Sequence, residues 1–382
     1  MPLTDQLDRL ARFEPVPYPV VSLYLNTQPN DRGRDQFQSF LRQEFKSRSR
    51  TYPQGSPDRD SLDKDLERIA AYLEGELQPS SNGVAIFACD AAGLFETVQL
   101  NAPIEQHWLY IGDTPHLYPL ARVESRYPRY AAVVADTNTA RIMVFATGEL
   151  KSQSEVKSDK TRRTSQGGWS QARFQRGIAN MHQQHVKEVV EALDRIVTQE
   201  GIQQILTVGD EVILPLLRSE MPKHLAEKVI DHLKIDAKAP VSEILAATVA
   251  AMSRLSEHTD KEKVDAAIGG HRGGNLGVVG PEATLEALIK GQVDELLLSA
   301  TIDSLKKVSP RAAAMANDST LMESAVETAA GGEAAHADPH VVRLADELVT
   351  RARNTSAKVT IIGDPELLQP HGGVAALLRY RA

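Results

Sequence analysis

The chain changes hydrophobic period repeatedly along its length, and the changes mark its elements. Residues 16 to 25, VPYPVVSLYL, are a short apolar run behind two prolines, the pattern of a buried strand. From Gln36 to Ser49 the period turns helical, with Phe37, Phe40, Leu41 and Phe45 three and four apart. A Pro/Gly/Ser break from Pro53 to Pro57 follows. Ser61 then stands as the expected N-cap of a helix through Leu62, Leu66, Ile69, Ala70 and Leu73. After a turn at Ser80–Gly83, GVAIFACD and LFETVQL read as two strands. These elements predict an N-terminal α/β domain over residues 1–125.

The next stretch opens with YAAVVAD and ARIMVFATG, two strands joined by Thr137-Asn138-Thr139, short enough for a hairpin. A polar, basic loop is expected from Lys151 to about Gly168, before a long helix from Ala172 to Glu200. Ile178, His182, Val186, Val189, Leu193 and Ile196 share one face of that helix. A strand (ILTVG), a helix (Asp210 to Ser219) and another strand (KVIDHLKID) complete a middle domain over 126–256. A helix from Val241 to His258 leads into a third domain, 257–382. Its elements are a helix at Pro281–Lys290, the strand ELLLSA, a helix at His340–Asn354, the strand KVTIIG and the tail HGGVAALLRYRA. Strand–helix–strand order in each part predicts an α/β fold of three domains, mixed sheets flanked by helices, with hinges near 125 and 256. An Ala/Gly/Glu segment at 324–338 carries no assigned role, and no fixed-period repeat suggests a solenoid.

Apolar residues make up 42% of the chain and charged residues 25%, which excludes wholesale disorder. With a single cysteine, Cys89, no disulfide can form within the chain and no Cys-rich zinc site exists. The charged first residues lack a signal-peptide core, and no apolar run approaches ~18 residues. The expectation is a cytoplasmic protein with no membrane segment. The net charge of −8 argues against non-specific nucleic-acid binding by the body as a whole. A nucleic-acid role therefore needs concentrated basic patches.

Several candidate sites read as packing or solvated surface. The glycine-rich stretch Gly269–Gly280 has neither a dinucleotide nor a P-loop register and is expected to be a loop entering a strand near Leu276. His182 and His185 are three apart, but no third ligand accompanies them, so no metal and no cofactor is expected. One segment differs. Lys157, Lys160, Arg162, Arg163, Arg173 and Arg176 fall within twenty residues that hold one acid, Asp159, and surround Gly167-Gly168 just before the long helix. Glycines allow close backbone approach, the following helix N-terminus favours an anion, and the bases favour phosphates. A second basic run, residues 31 to 50, contains Arg42, Lys46, Arg48 and Arg50 and fits phosphate contact without base readout, or an amphipathic helix with a solvated face.

At this segment the chain resembles the archaeal and eukaryotic class-one release factors and their relative Pelota. The release factors carry Gly-Gly-Gln, then Ser, two residues and Arg-Phe; here Gly167-Gly168-Trp169-Ser170-Gln171-Ala172-Arg173-Phe174 stands in register, with Trp169 in the glutamine position. The tail Gly372-Gly373-Val374 … Leu378-Arg379-Tyr380 is similar to the family's terminal pattern, and LLLSA to its third-domain strand. The resemblance implies a ribosomal partner (ribosomal RNA and peptidyl-tRNA), a translational GTPase as delivery partner, and RNA contacts by Trp169 and the bases. It implies ester hydrolysis by a loop-positioned water, with Gly167, Gly168 and Gln171 as catalytic candidates. Gln171 is placed by likeness to a quality-control hydrolase pattern, Gly-Ser-x-x-Gln. No stop-codon-reading Asn-Ile-Lys-Ser loop is found. Three readings stay open: a factor in rescue, quality control or hibernation that hydrolyses peptidyl-tRNA; a silent ribosome-binding factor like Pelota or Balon; and an RNA- or tRNA-processing nuclease.

Overall fold

The computed structural model describes residues 3–29, 37–157, 171–209, 212–305, 324–329, 335–336 and 338–381, of which 171–179, 303, 324–329 and 335–336 are described in backbone only. The chain forms two compact units, one built from Met1–Arg126 with Leu255–Ala382 and the other from Tyr127–Arg254.

In the first unit, α1 (Leu3–Ala11), β1 (Val20–Asn26), α2 (Phe37–Ser49), α3 (Pro57–Gly75), β2 (Gly83–Cys89), β3 (Leu94–Leu100), β4 (Gln106–Gly112) and α4 (Tyr118–Arg126) follow one another. The apolar run of β1 is explained by burial on both faces. Val21, Leu23 and Leu25 pack with Phe37, Phe40, Leu62, Leu66 and Ile69 of α2 and α3. Tyr24, on the alternate face, meets Phe87 edge-on at 5.7 Å. Helix α3 starts earlier than expected. Ser56 is its N-cap, accepting from the Arg59 N–H, with Pro57 at the first helical position. Ser61 lies inside the helix, where its hydroxyl accepts from the Ala91 N–H at 3.2 Å.

The second unit holds β5 (Tyr130–Ala135), β6 (Thr139–Ala146), β7 (Glu149–Lys157), α5 (Gln171–Gln199), β8 (Ile205–Gly209), α6 (Ile213–Glu220), α7 (Lys223–Ala226) and β9 (Val229–Leu233). They form a mixed sheet in the order β7-β6-β5-β8-β9. The expected hairpin is present, and the Asp136 carboxylate closes its turn by accepting the N–H groups of Asn138 and Thr139. The segment from Lys151 is not loop as far as Lys157. It is β7, an exposed edge strand paired along β6. Val186, Val189 and Leu193 of α5 fill one side of the sheet together with Ile213 and Leu217 of α6. Ile244 and Ala251 of α8 (Val241–Arg272) fill the other. Helix α8 runs unbroken past residue 256 and takes in Gly269 and Gly270, so only the end of the glycine-rich stretch is loop and strand.

The last third of the chain adds β10 (Gly277–Val279), α9 (Pro281–Ile289), β11 (Val293–Ser299), β12 (Ser324–Ala329), β13 (Ala335–His336), α10 (Pro339–Asn354), β14 (Lys358–Ile362) and β15 (Val374–Leu378). One sheet is β10-β15-β11-β14. The Ala/Gly/Glu segment contributes strands: β12 pairs antiparallel with β4, from Ser324 opposite Ile111 to Ala329 opposite Gln106. The N-terminal sheet thereby reads β13-β12-β4-β1-β2-β3.

A buried carboxylate ties the first and last parts of this unit together. Asp346 of α10 accepts the N–H of Leu117 at 2.8 Å and of Tyr118 at 3.0 Å, and lies 2.7 Å from His116 Nδ1. Those N–H groups open α4 and have no intrahelical acceptor, so a residue far along the chain caps the helix and complements its dipole. The Tyr118 hydroxyl donates to the Ser299 carbonyl at 2.8 Å, and the Ser125 hydroxyl accepts from Ile361 N–H on β14. Arg353 pairs with Glu124 and, at 3.6 Å, with Asp8.

Candidate functional site

Helix α5 spans 29 residues, but its described core residues begin only at His185 and Val186. The fourteen residues before them, Gln171 to Gln184, contribute none of the described buried core, a length of roughly 20 Å at 1.5 Å per residue. Beyond that point Val186, Val189, Val190, Leu193 and Val197 repeat at helical spacing against the sheet. The second half of the helix is thus packed into the core of the unit. The helix's first N–H groups have no partner within it and form an electropositive end.

In sequence, the basic segment runs up to this end and into the helix. Lys157 is the last residue of β7, exposed and 3.0 Å from Glu155. Lys160, Arg162, Arg163, Gly167, Gly168 and Trp169 lie outside the described residues. Gln171 is the first residue of α5, and Arg173 and Arg176 follow within its first two turns; their side chains are outside the description. Strand β7 and helix α5 therefore fix the two ends of the glycine segment in the second unit.

The other basic group belongs to the first unit. Arg42, Lys46 and Arg50 are exposed, as a phosphate-contacting helix face requires. Arg48 is not: it is buried and bound to Glu44 at 3.1 Å, one helical turn away. Its charge is spent inside the fold, so it is removed from the expected contact set.

Two further groups stand at the root of α5. His185 is 1% exposed, and neither ring nitrogen has a hydrogen-bond partner among the described residues. His182 is half-buried. Among the described residues no three His, Cys, Asp or Glu side chains are grouped to hold a metal ion. Burial raises the Asp136 carboxyl, but the Asn138 and Thr139 N–H groups, the Thr139 hydroxyl and nearby His185 bring it below the usual range. The sequence reading missed the Asp346–His116 group altogether. An acid in an amphipathic helix looks like solvated surface until its partners are known.

This architecture, a mixed sheet that carries a long helix preceded by a basic Gly-Gly segment, has a match among known families. The middle part of the chain is similar to one bacterial release-factor family. The matching model is that of bacterial archaeo-eukaryotic release factor family 10, over residues 115–253. Among solved structures the chain is similar to an archaeal translation termination factor, 15% identical over 99% of this chain and 97% of that one, with a TM-score of 0.26. It is also similar to Dom34 of S. cerevisiae, a translation termination-like factor (12% identity, 78% and 79% coverage, TM-score 0.42). A third is Pelota of Archaeoglobus fulgidus (13%, 80% and 82%, TM-score 0.32). No curated protein matches the chain. No described helix is long and apolar enough to cross a membrane.

Proposed function

We propose that this protein binds the ribosome at the aminoacyl site without reading a stop codon, and brings the segment around Gly167-Gly168 to the peptidyl-tRNA end. The observation that supports the reading is a concentration of positive charge in the sequence, next to the end of a strand and the start of a long helix. Lys157 ends β7, Arg173 and Arg176 belong to the first two turns of α5, and Lys160, Arg162, Arg163 and the glycine pair fall between them in sequence, in a chain of net charge −8. A backbone free of side chains beside phosphate-seeking bases suits contact with ribosomal RNA. In the hydrolytic form of the reading, main-chain N–H groups near Gly167 and Gly168 stabilise the developing oxyanion while Gln171 positions water. Rescue, quality control and hibernation are the settings this fits, with a translational GTPase as delivery partner.

Trp169 favours a second reading in which the segment occupies the site without reacting. An indole stands where the release factors place their functional glutamine, and an aromatic ring stacks on a base irrespective of sequence. The test is release of peptide from purified ribosomes loaded with peptidyl-tRNA. Release by the wild type that is lost in Gln171→Ala supports hydrolysis. Tight binding with no release by either protein supports the silent occupant. Retention of ribosome binding, with unchanged salt dependence, after Arg162→Glu/Arg163→Glu together with Gly167→Ala/Gly168→Ala refutes the contact itself.

A further inference from the structure

The second unit contains a cleft whose lining residues come from outside the glycine segment. It lies between α6, α7 and the edge strand β9 and encloses about 150 Å³. Its polar lining is Thr207, Arg218 and His232, and its walls are Leu214, Leu217, Met221 and Val229.

The polar side is assembled by an irregularity in the strand pairing. Ile205 of β8 is opposite Val229, but Leu206 is opposite Asp231, so β9 carries one extra residue at that point. In regular register Thr207 would face Asp231. The bulge puts His232 there instead, and bulges characteristically re-aim side chains in this way. The displaced Asp231 carboxylate turns back onto the His232 N–H at 2.7 Å. Thr207, itself 1% exposed, then lies with its hydroxyl 2.5 Å from His232 Nδ1. If the hydroxyl donates to Nδ1, Nε2–H is left as a donor; if Nδ1–H donates, the hydroxyl hydrogen is left. Either arrangement offers a donor beyond the pair. Arg218 makes no hydrogen bond or ion pair among the described residues and is exposed at the same cleft.

We infer that the cleft binds a small aliphatic carboxylate. The carboxylate accepts from the Arg218 guanidinium and from the Thr207–His232 pair, and the short chain lies on Leu214, Leu217, Met221 and Val229. Guanidinium recognises a carboxylate with two parallel bonds, and a cationic fork with a further donor adjoining an apolar wall suits a molecule with one anionic end and one apolar end. A bare oxyanion such as phosphate would leave the wall uncovered.

The test is titration of the full chain with butyrate, inorganic phosphate and n-butanol, following the His232 ring resonances by NMR and the thermal midpoint. Butyrate is expected to shift the His232 signals saturably and raise the midpoint, with phosphate weaker and butanol without effect. Arg218→Gln, at an exposed position, should weaken butyrate about tenfold or more through loss of a charge-assisted bond. Thr207→Val should weaken it as well. The inference is overturned if butyrate leaves His232 unmoved, if phosphate binds as tightly as butyrate, or if Arg218→Gln binds butyrate like the wild type.

Discussion

Replacing Asp346 by alanine removes one acceptor from three donors at once. The Leu117 and Tyr118 N–H groups and His116 Nδ1 all converge on its carboxylate within 3.0 Å, and the carboxylate is 4% exposed. Each buried donor left unpaired costs about 1–3 kcal/mol, and the costs of three donors sharing one acceptor are not fully additive. We therefore expect Asp346→Ala to lose roughly 3–5 kcal/mol, a large share of an ordinary domain's 5–15 kcal/mol or so. Asp346→Asn keeps one carbonyl oxygen for the two backbone donors and should lose distinctly less. Trp108 reports the change, since its ring centroid is 5.4 Å from that of His116. The chain has two tryptophans, so the measurement is urea unfolding by fluorescence in a Trp169→Phe background. A loss below about 1 kcal/mol for the alanine variant would mean that the cap contributes no more than an average surface hydrogen bond, and the account of how α4 is held would be wrong.

Burial pushes the Asp65 carboxyl up to about 7, so the native state keeps a proton that the unfolded state has lost, and stability falls as pH rises from the ordinary carboxylate range to 7. Asp65→Asn should remove that slope, worth up to about 4 kcal/mol, and gain most at pH 8; equal midpoints for variant and wild type from pH 4 to 8 would exclude it. Burial pushes the His107 pKa down to about 4, and here the sign reverses: the unfolded state takes up the proton first, and stability is lost as pH falls below about 6.5. His107→Gln should flatten that acid limb, up to about 3 kcal/mol, in urea midpoints measured from pH 7 to 4. A Cβ at Gly277 would stand 2.2 Å from the Ala267 carbonyl oxygen and 2.9 Å from the His271 nitrogen, both on α8. Gly277→Ala should therefore cost about 1–3 kcal/mol by overpacking, and a melting temperature equal to wild type would refute the close approach.

The elements that could be read in advance are those whose period is set by burial. Strand β1 announced itself because both of its faces are covered, and the second half of α5 because Val186, Val189 and Leu193 share one stripe. Strand β7 was hidden because an exposed edge strand, ELKSQSEVK, has no apolar face to alternate. Strand β12 was hidden because SAVETA is a strand by virtue of β4 beside it, a partner distant in sequence. The start of α3 was legible after all in Ser56-Pro57, a cap followed by proline at the first helical position, and the apolar stripe drew the expectation to Ser61 instead. Of the candidate site, composition revealed the charge and the glycine pair. It could not separate Arg42, Lys46 and Arg50, which face solvent, from Arg48, which Glu44 holds inside.

The capping of α4 by Asp346 and the completion of the first sheet by β12 have a consequence for biosynthesis. A nascent chain makes β4 and the start of α4 early, yet the strand and the carboxylate that finish them arrive only after Tyr127–Arg254 has been translated. The middle unit is contiguous and can fold as it emerges, whereas the unit around it must wait with an open strand edge. Truncations that stop before residue 324 should therefore leave the first sheet aggregation-prone while sparing the middle one.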